Sequence, residues 1–107
     1  MEFKCILAMV KPDLTDSVVT AAKEAGATGA TILPGKGTGI HEAKTFFGLT
    51  LDVPTDVVLF LLEDLLVAPV LEAVERAGRF SEPGTGIAFV MPVDGVLGLE
   101  SQLKERT

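Results

Sequence analysis

Three short segments of this 107-residue chain are apolar at every position, and they restrict the fold more than any other feature. They are residues 5–10, 57–62 and 87–91. Each is bounded by turn or charged residues and is short, which predicts a strand rather than a helix. A strand with one face in water alternates apolar and polar residues. These strands must therefore be covered on both faces.

Two further segments carry apolar residues at helical spacing. The first helix follows Asp13, which is expected to cap it, and Gly26 is expected to end it. The second is predicted over residues 66–77, ends before Gly78, and pairs Glu72 with Arg76 on its wet side. The apolar stripes consist of Leu14, Val18, Ala21, Ala22 and Ala25 in the first helix, and of Val67, Val70, Leu71 and Val74 in the second.

With strands added at 29–33 and 55–62, the element order is β-α-β-β-α-β within a single domain, 1–107. This order predicts a ferredoxin-like α+β fold, an antiparallel four-stranded sheet with both helices on one face. No part of the chain remains to cover the other face, and another copy of the chain is the simplest cover. An Asp in place of Phe60 or Phe89 is expected to dissociate or unfold such an assembly.

Composition narrows the class of protein. Fifteen acidic and nine basic residues give a net charge of −6, which argues against nucleic-acid binding. The longest apolar run, 57–62, is far too short to cross a bilayer, and the N-terminus lacks a signal-peptide pattern. Cys5 is the only cysteine, which suits a reducing compartment. We expect a cytoplasmic protein without membrane insertion.

A catalytic or metal site is not indicated. His41 is the only histidine, and no nucleophile pattern lies near it. His41 and Glu42 match the start of a zinc-protease motif, but Thr45 stands where its second histidine belongs. We predict no enzyme activity, no catalytic residues and no metal.

Two glycine-rich segments, each next to a predicted strand, are the candidate binding residues. The one around residues 35–39 matches neither a P-loop nor a dinucleotide fingerprint. Backbone N–H groups in such segments can hold an anion or the edge of a nucleobase. The alternative is a bulged strand end and an ordinary turn. The first glycine segment is Gly37, Thr38 and Gly39, and the second glycine segment is Gly84, Thr85 and Gly86.

The chain resembles the PII-like signal transduction family, also called the nitrogen regulatory protein P-II family. The matching motifs, in order, are residues 9–12, 29–32 with 36–39, 69–74 and 84–93. The resemblance spans about 3–95 and implies a homotrimer with effector clefts between subunits. One subunit would contribute the first glycine segment and its neighbour the second, and the candidate effectors are ADP, AMP and ATP.

Departures from the family pattern make this a divergent member. Ile40 and Ile87 replace basic residues, the chain has no tyrosine for uridylylation, and His41 stands where a metal-coordinating Gln is usual. These losses predict weak or selective nucleotide binding with little preference for the triphosphate. The alternative function is a small-molecule or anion sensor of the same fold that binds no nucleotide.

The segment 40–56, where the family has its T-loop, diverges most and is predicted to bind the partner. Such a partner is an enzyme or a membrane transporter, in nitrogen or carbon metabolism. Aromatic and basic side chains are typical of interface anchors, although packing of the two Phe residues on the core is an equal alternative. The predicted contact residues are His41, Lys44, Phe46 and Phe47.

Overall fold

The computed structural model describes residues 2–36, 45–46, 49–50 and 54–99, with the backbone alone at 45–46 and 49–50. Two short 3-10 turns, Pro12–Leu14 and Asp64–Leu66, precede the two helices. The strands and helices are β1 (Phe3–Val10), α1 (Thr15–Glu24), β2 (Thr31–Lys36), β3 (Thr45–Phe46), β4 (Leu49–Thr50), β5 (Pro54–Glu63), α2 (Val67–Ala77) and β6 (Gly86–Val93).

The four long strands form one sheet in the order β2-β5-β1-β6, and every neighbouring pair is antiparallel. This is the ferredoxin-like α+β arrangement that the sequence predicts. The short strands β3 and β4 pair with each other as a separate two-stranded ladder within the divergent segment. The order places β2 and β6 at opposite edges of the main sheet.

One face of the sheet packs against both helices and forms the core. Every second residue of the two central strands points to this side. The predicted stripe of α2 covers them in full, whereas α1 contributes Val18, Ala22 and Ala25 of its predicted stripe. The fully buried side chains of this layer include Ile6, Ala8, Val10, Val18, Ala22, Val58, Phe60, Val70 and Val74.

The opposite face of the sheet is also apolar, and we call it the open face. Leu61 and Phe89, which lie there, are each 40% exposed despite their size. At one end of the sheet Leu99 lines a hollow together with Phe3 and Leu61 from this face and Leu66 from the helix side. Side chains of β5, β1 and β6 form cross-strand rows on this face. One row is Leu59, Leu7 and Phe89, and the next is Leu61, Cys5 and Met91.

Cys5 lies on the open face and behaves as a small apolar residue. Partial burial raises the pKa of its thiol above the usual value, so the uncharged form is favoured. A protonated thiol is a poor nucleophile and a poor metal ligand. Cys5 therefore adds to the apolar character of this face.

Two local expectations from the sequence are wrong. Asp13 does not cap α1, because Pro12 begins a 3-10 turn that leads directly into the helix, and Leu14 is at the N-cap without a side-chain hydrogen bond. The second strand runs from Thr31 to Lys36 rather than over 29–33. Pro34 is tolerated inside it because β2 is an edge strand.

The two Phe residues selected for substitution from the sequence test different properties, one the stability of the fold and the other association. Phe60 is fully buried beneath the helices, whereas Phe89 is on the open face. We expect Phe60→Asp to unfold the chain, since a buried unpaired charge costs several kcal/mol. Phe89→Asp should leave the fold intact and prevent association through the open face.

Circular dichroism and light scattering of both variants test this difference. Thr20→Asp, on the exposed surface of α1, is the matched control for the added charge and should behave as wild type. A folded Phe89→Asp protein with the same mass in solution as wild type would show that the open face is not an interface.

Candidate functional site

The strand ends that adjoin the two glycine segments lie at the same end of the sheet but at opposite edges. Val10, the last residue of β1, is in register with both Asp56 and Gly86. In β2 it is Pro34 that pairs with Asp56, and Lys36 ends the strand two residues beyond this row, opposite Pro54. The first glycine segment follows Lys36 directly and the second ends at the start of β6. Because two strands separate β2 from β6, the edges are roughly 14 Å apart.

Part of the predicted site lies outside the described residues. This applies to Gly37, Thr38 and Gly39, the first glycine segment, and to the predicted partner-contact residues 41, 44 and 47. Phe46 is in β3, described by its backbone alone. The second glycine segment is described in full.

The ring of Phe80 is enclosed by two glycines. A Cβ atom on Gly86 would lie 2.6 Å from Phe80 Cε1 and closer still to the carbonyl oxygen of Met9. A Cβ on Gly78 would overlap the same ring atom. Gly78 and Gly86 are therefore required for packing, and they hold the turn from α2 to β6 against the sheet.

Thr85 fastens this turn internally. It is 4% exposed, and its hydroxyl lies 2.5 Å from the carbonyl oxygen of Arg79 and 2.9 Å from that of Glu82, to either of which it can donate. The Glu82 N–H also donates to the Arg79 carbonyl, at 2.9 Å. The Thr85 hydroxyl is thus engaged within the turn, so a ligand would meet the backbone of this segment.

The backbone of the second glycine segment is shaped for such a contact. Gly84 has φ +79°, a left-handed conformation that favours glycine. No hydrogen bond between described residues uses the N–H of Gly84 or Thr85. Two adjacent amides without an internal acceptor are the usual donors to a bound anion.

Arg79 occupies an unusual backbone position at the end of α2. After Gly78 the chain turns with Arg79 at φ 56°, and the N–H groups of Phe80 and Arg79 donate to the carbonyls of Glu75 and Arg76. This is a Schellman motif, whose left-handed position is normally glycine, as Gly26 is after α1. A non-glycine residue there costs on the order of 1 kcal/mol.

Three unpaired cations gather at this end of the sheet in an otherwise acidic chain. Lys11, Lys36 and Arg79 make no ion pair with any described carboxylate, whereas Lys4 and Arg76 do. The remaining described cation, Lys23, is near the far end of α1. The carboxylates of Asp13, Asp56 and Glu82 lie at the same end, so these cations offer an anion local donors rather than a positive surface.

A side-chain bond ties the start of α1 to the root of the divergent segment. The hydroxyl of Thr15 donates to Asp56 Oδ2 at 2.6 Å, and Thr15 is 5% exposed. Asp56 is the last residue of the divergent segment and the third residue of β5, where the segment has returned to the sheet. The 41 positions between the two residues explain why no local pattern in the sequence indicates this bond.

Comparisons with known proteins agree on one family. The family model described as "Nitrogen regulatory protein P-II" matches residues 3–102. The nitrogen regulatory protein P-II of Azospirillum brasilense is 32% identical over 103 residues, 92% of each chain. That of Rhodospirillum rubrum is 29% identical over 103 residues, again 92% of each.

The fold agrees as well. The crystal structure of Arabidopsis thaliana PII bound to citrate superposes with a TM-score of 0.74 at 24% identity, covering 94% of this chain and 85% of that one. No helix in the described ranges is long and apolar enough to cross a membrane.

The described residues form a ferredoxin-like fold, and the comparisons place the chain among regulatory rather than catalytic proteins. The chain belongs to the P-II family, as the resemblance of its motifs predicts. Members of this family are trimeric signalling regulators that act on partner proteins and are not enzymes.

The packing of Gly86 gives a testable prediction. Gly86→Ala should destabilise the protein by about 1–3 kcal/mol, because the added methyl meets the Met9 carbonyl and the Phe80 ring. Gly29→Ala is the matched control, since no atom lies within 4 Å of the position that its Cβ would take. Its stability should stay within about 1 kcal/mol of wild type.

Urea denaturation followed by circular dichroism measures both variants. Equal midpoints for Gly86→Ala and Gly29→Ala would mean that the turn between α2 and β6 is not held as closely as these distances indicate.

Proposed function

We propose that the chain acts as a homotrimeric regulator whose small effector binds between the two glycine segments of adjacent subunits. The observation that carries this proposal is that Lys36, which precedes the first segment, and Gly86, which ends the second, lie at one end of the sheet but on opposite edges. About 14 Å and two strands separate these edges within one chain, which favours a site completed by a second chain. In a closed head-to-tail ring the β2 edge of one subunit adjoins the β6 edge of the next.

The open face supports the same assembly. An apolar sheet face of this extent is unusual on a stable monomer and is typical of an interface. Since the family is trimeric, association through this face would also bring the sheet edges of neighbours together. Each cleft would then take Gly37, Thr38 and Gly39 from one subunit and Gly84, Thr85 and Gly86 from another.

An adenine nucleotide is the proposed effector, with ADP and AMP preferred over ATP. Backbone N–H groups at Gly84 and Thr85 can bind a phosphate without help from side chains. A triphosphate needs more, because charge-assisted hydrogen bonds of about 1.5–3 kcal/mol each normally offset its desolvation. Ile40 and Ile87 cannot supply them, and Glu82 adds negative charge to the turn.

A second candidate is a sensor of a small anion that binds no nucleotide. It is favoured by the three unpaired cations, Lys11, Lys36 and Arg79, at an end of the molecule without a full phosphate clamp. Arabidopsis thaliana PII has been crystallised with citrate, a small polyanion. The two candidates share the location of the site and differ in whether a nucleobase is recognised.

Calorimetry with ATP-Mg, ADP, AMP, adenosine and citrate separates these candidates. We expect ADP and AMP to bind and ATP-Mg to bind no more tightly than ADP, since each missing charge-assisted contact is worth about tenfold or more in affinity. Citrate binding without any nucleotide binding would favour the second candidate. Tight, Mg-dependent ATP binding would contradict the proposal and indicate a phosphate clamp built from other residues.

The divergent segment, 40–56, is the proposed contact with the regulated protein. We propose that the chain itself acts in the cytoplasm. The contact residues of the segment are His41, Lys44, Phe46 and Phe47, an aromatic and basic set suited to an interface. The partner is an enzyme or a membrane transporter reached from the cytoplasmic side. The Thr15–Asp56 hydrogen bond supports this role, because it anchors the returning end of the segment to the folded body.

Replacing Phe46 and Phe47 together with Ser tests this contact. We expect the double variant to keep the wild-type mass in solution and to lose the protein that co-purifies with wild type from its host, because the aromatic anchors are gone. Thr50→Ser, in the same segment, is the matched control and should retain that protein. Unchanged co-purification by the double variant would contradict the proposed role.

A further inference from the structure

We propose that Arg79 is a specificity-determining residue of the effector site, where its guanidinium binds the anionic end of the ligand. This inference rests on the proposed function and adds to it a residue outside both glycine segments. The ligand class that it selects is an effector with a terminal phosphate, such as a nucleoside monophosphate or diphosphate.

The backbone of Arg79 is the first reason. It is the one non-glycine residue with positive φ among the residues that the structure describes. Glycine is the preferred residue at this position of a Schellman motif, and Gly26 fills it after α1. A strained backbone conformation at a non-glycine residue is a recognised feature of binding sites.

No contact within the described chain explains why arginine is placed there. Arg76, three residues earlier, uses its guanidinium to bind Glu72 at 2.8 Å, but Arg79 has no such partner and is exposed. Its role in the fold is carried by its main chain, through the carbonyl that accepts hydrogen bonds from Thr85 and Glu82. The side chain is therefore available for a ligand.

The position of Arg79 relative to the free amides is fixed. The Thr85 hydroxyl lies 2.5 Å from the Arg79 carbonyl, and Thr85 is itself one of the two residues whose N–H has no described acceptor. The Phe80 ring, next along the chain, is locked between Gly78 and Gly86. The turn thus brings the main chain of an exposed arginine close to two donors, and a guanidinium together with backbone N–H groups is a combination that binds phosphate oxygens.

The surrounding charges limit what this cation can bind. Glu82 belongs to the same turn, and Ile87 follows the second glycine segment where a base would extend the positive surface. One guanidinium and two amides suit one terminal phosphate better than a triphosphate chain. Arg79 would therefore set both the requirement for an anion and the upper limit on its charge.

Three substitutions at this position, with ADP and adenosine as probes, test the assignment by calorimetry. Arg79→Gly and Arg79→Asn both tolerate the left-handed backbone but remove the charge, and each should weaken ADP binding about tenfold while leaving adenosine binding unchanged. Arg79→Lys should retain most of the ADP affinity. Lys23→Ala removes one positive charge elsewhere and is the matched control, with no change expected for either probe.

The melting temperature without ligand separates a binding role from a structural one. Arg79→Gly should not lower it, because glycine relieves the positive φ at this position. A lower melting temperature together with equal losses for ADP and adenosine would assign Arg79 a structural role and overturn the proposal.

Unchanged ADP affinity in Arg79→Gly would also overturn it, while the proposed nucleotide site would stand. If wild type binds neither ADP nor adenosine, the nucleotide function itself fails and this assignment fails with it.

Discussion

Two helices cover one face of a sheet whose central strands are apolar on both faces, and most other features of the molecule depend on that imbalance. The helix side forms a complete core within one chain. The open face, with Leu61 and Phe89 exposed, gains its hydrophobic stabilisation only when something covers it. Association is thus a consequence of how the apolar residues are distributed, and a site shared between sheet edges depends on it.

The two halves of the proposed site differ in how they are held. The second glycine segment is fastened within its own chain by the Thr85 hydroxyl and by the Phe80 ring between Gly78 and Gly86. A turn that is already ordered loses little conformational entropy when a ligand binds. The first glycine segment adjoins the end of an edge strand, so its surroundings would be completed by a neighbouring subunit.

The sequence predicts the fold well because its strongest signals are local and repetitive. The apolar runs, the two helical stripes and Gly26 and Gly78 as stops define the β-α-β-β-α-β order, and the structure agrees with it. The prediction of Asp13 as a helix cap is wrong because Pro12 starts a 3-10 turn at this point. A capped helix start and a 3-10 turn are similar local conformations, and the sequence pattern does not distinguish them. The rest of β2 is missed because Pro34 and Gly35 normally indicate a turn, and only pairing with β5 overrides them.

The site is harder to predict, because its key contacts join distant residues. The sequence shows glycines at 84 and 86, but it does not show why residue 86 must be glycine. A side chain there would collide with the Met9 carbonyl on another strand. In the sequence Gly78 is the expected helix stop, but the residue that takes the left-handed conformation is the next one, Arg79. The ligand and the contacts of the divergent segment stay predictions, since part of that region lies outside the described residues.

The hydrogen bond between Thr15 and Asp56 makes the base of the divergent segment part of the folded body. Asp56 is the last residue of the segment and already part of β5, and its carboxylate accepts a hydrogen bond from Thr15 of α1. A chimera that carries the segment of a relative should therefore have its two junctions at Lys36 and Pro54, so that Asp56 is kept. A junction placed beyond Asp56 would remove the acceptor for a buried hydroxyl, and the resulting chimera would differ from its parent in the helix as well as in the loop.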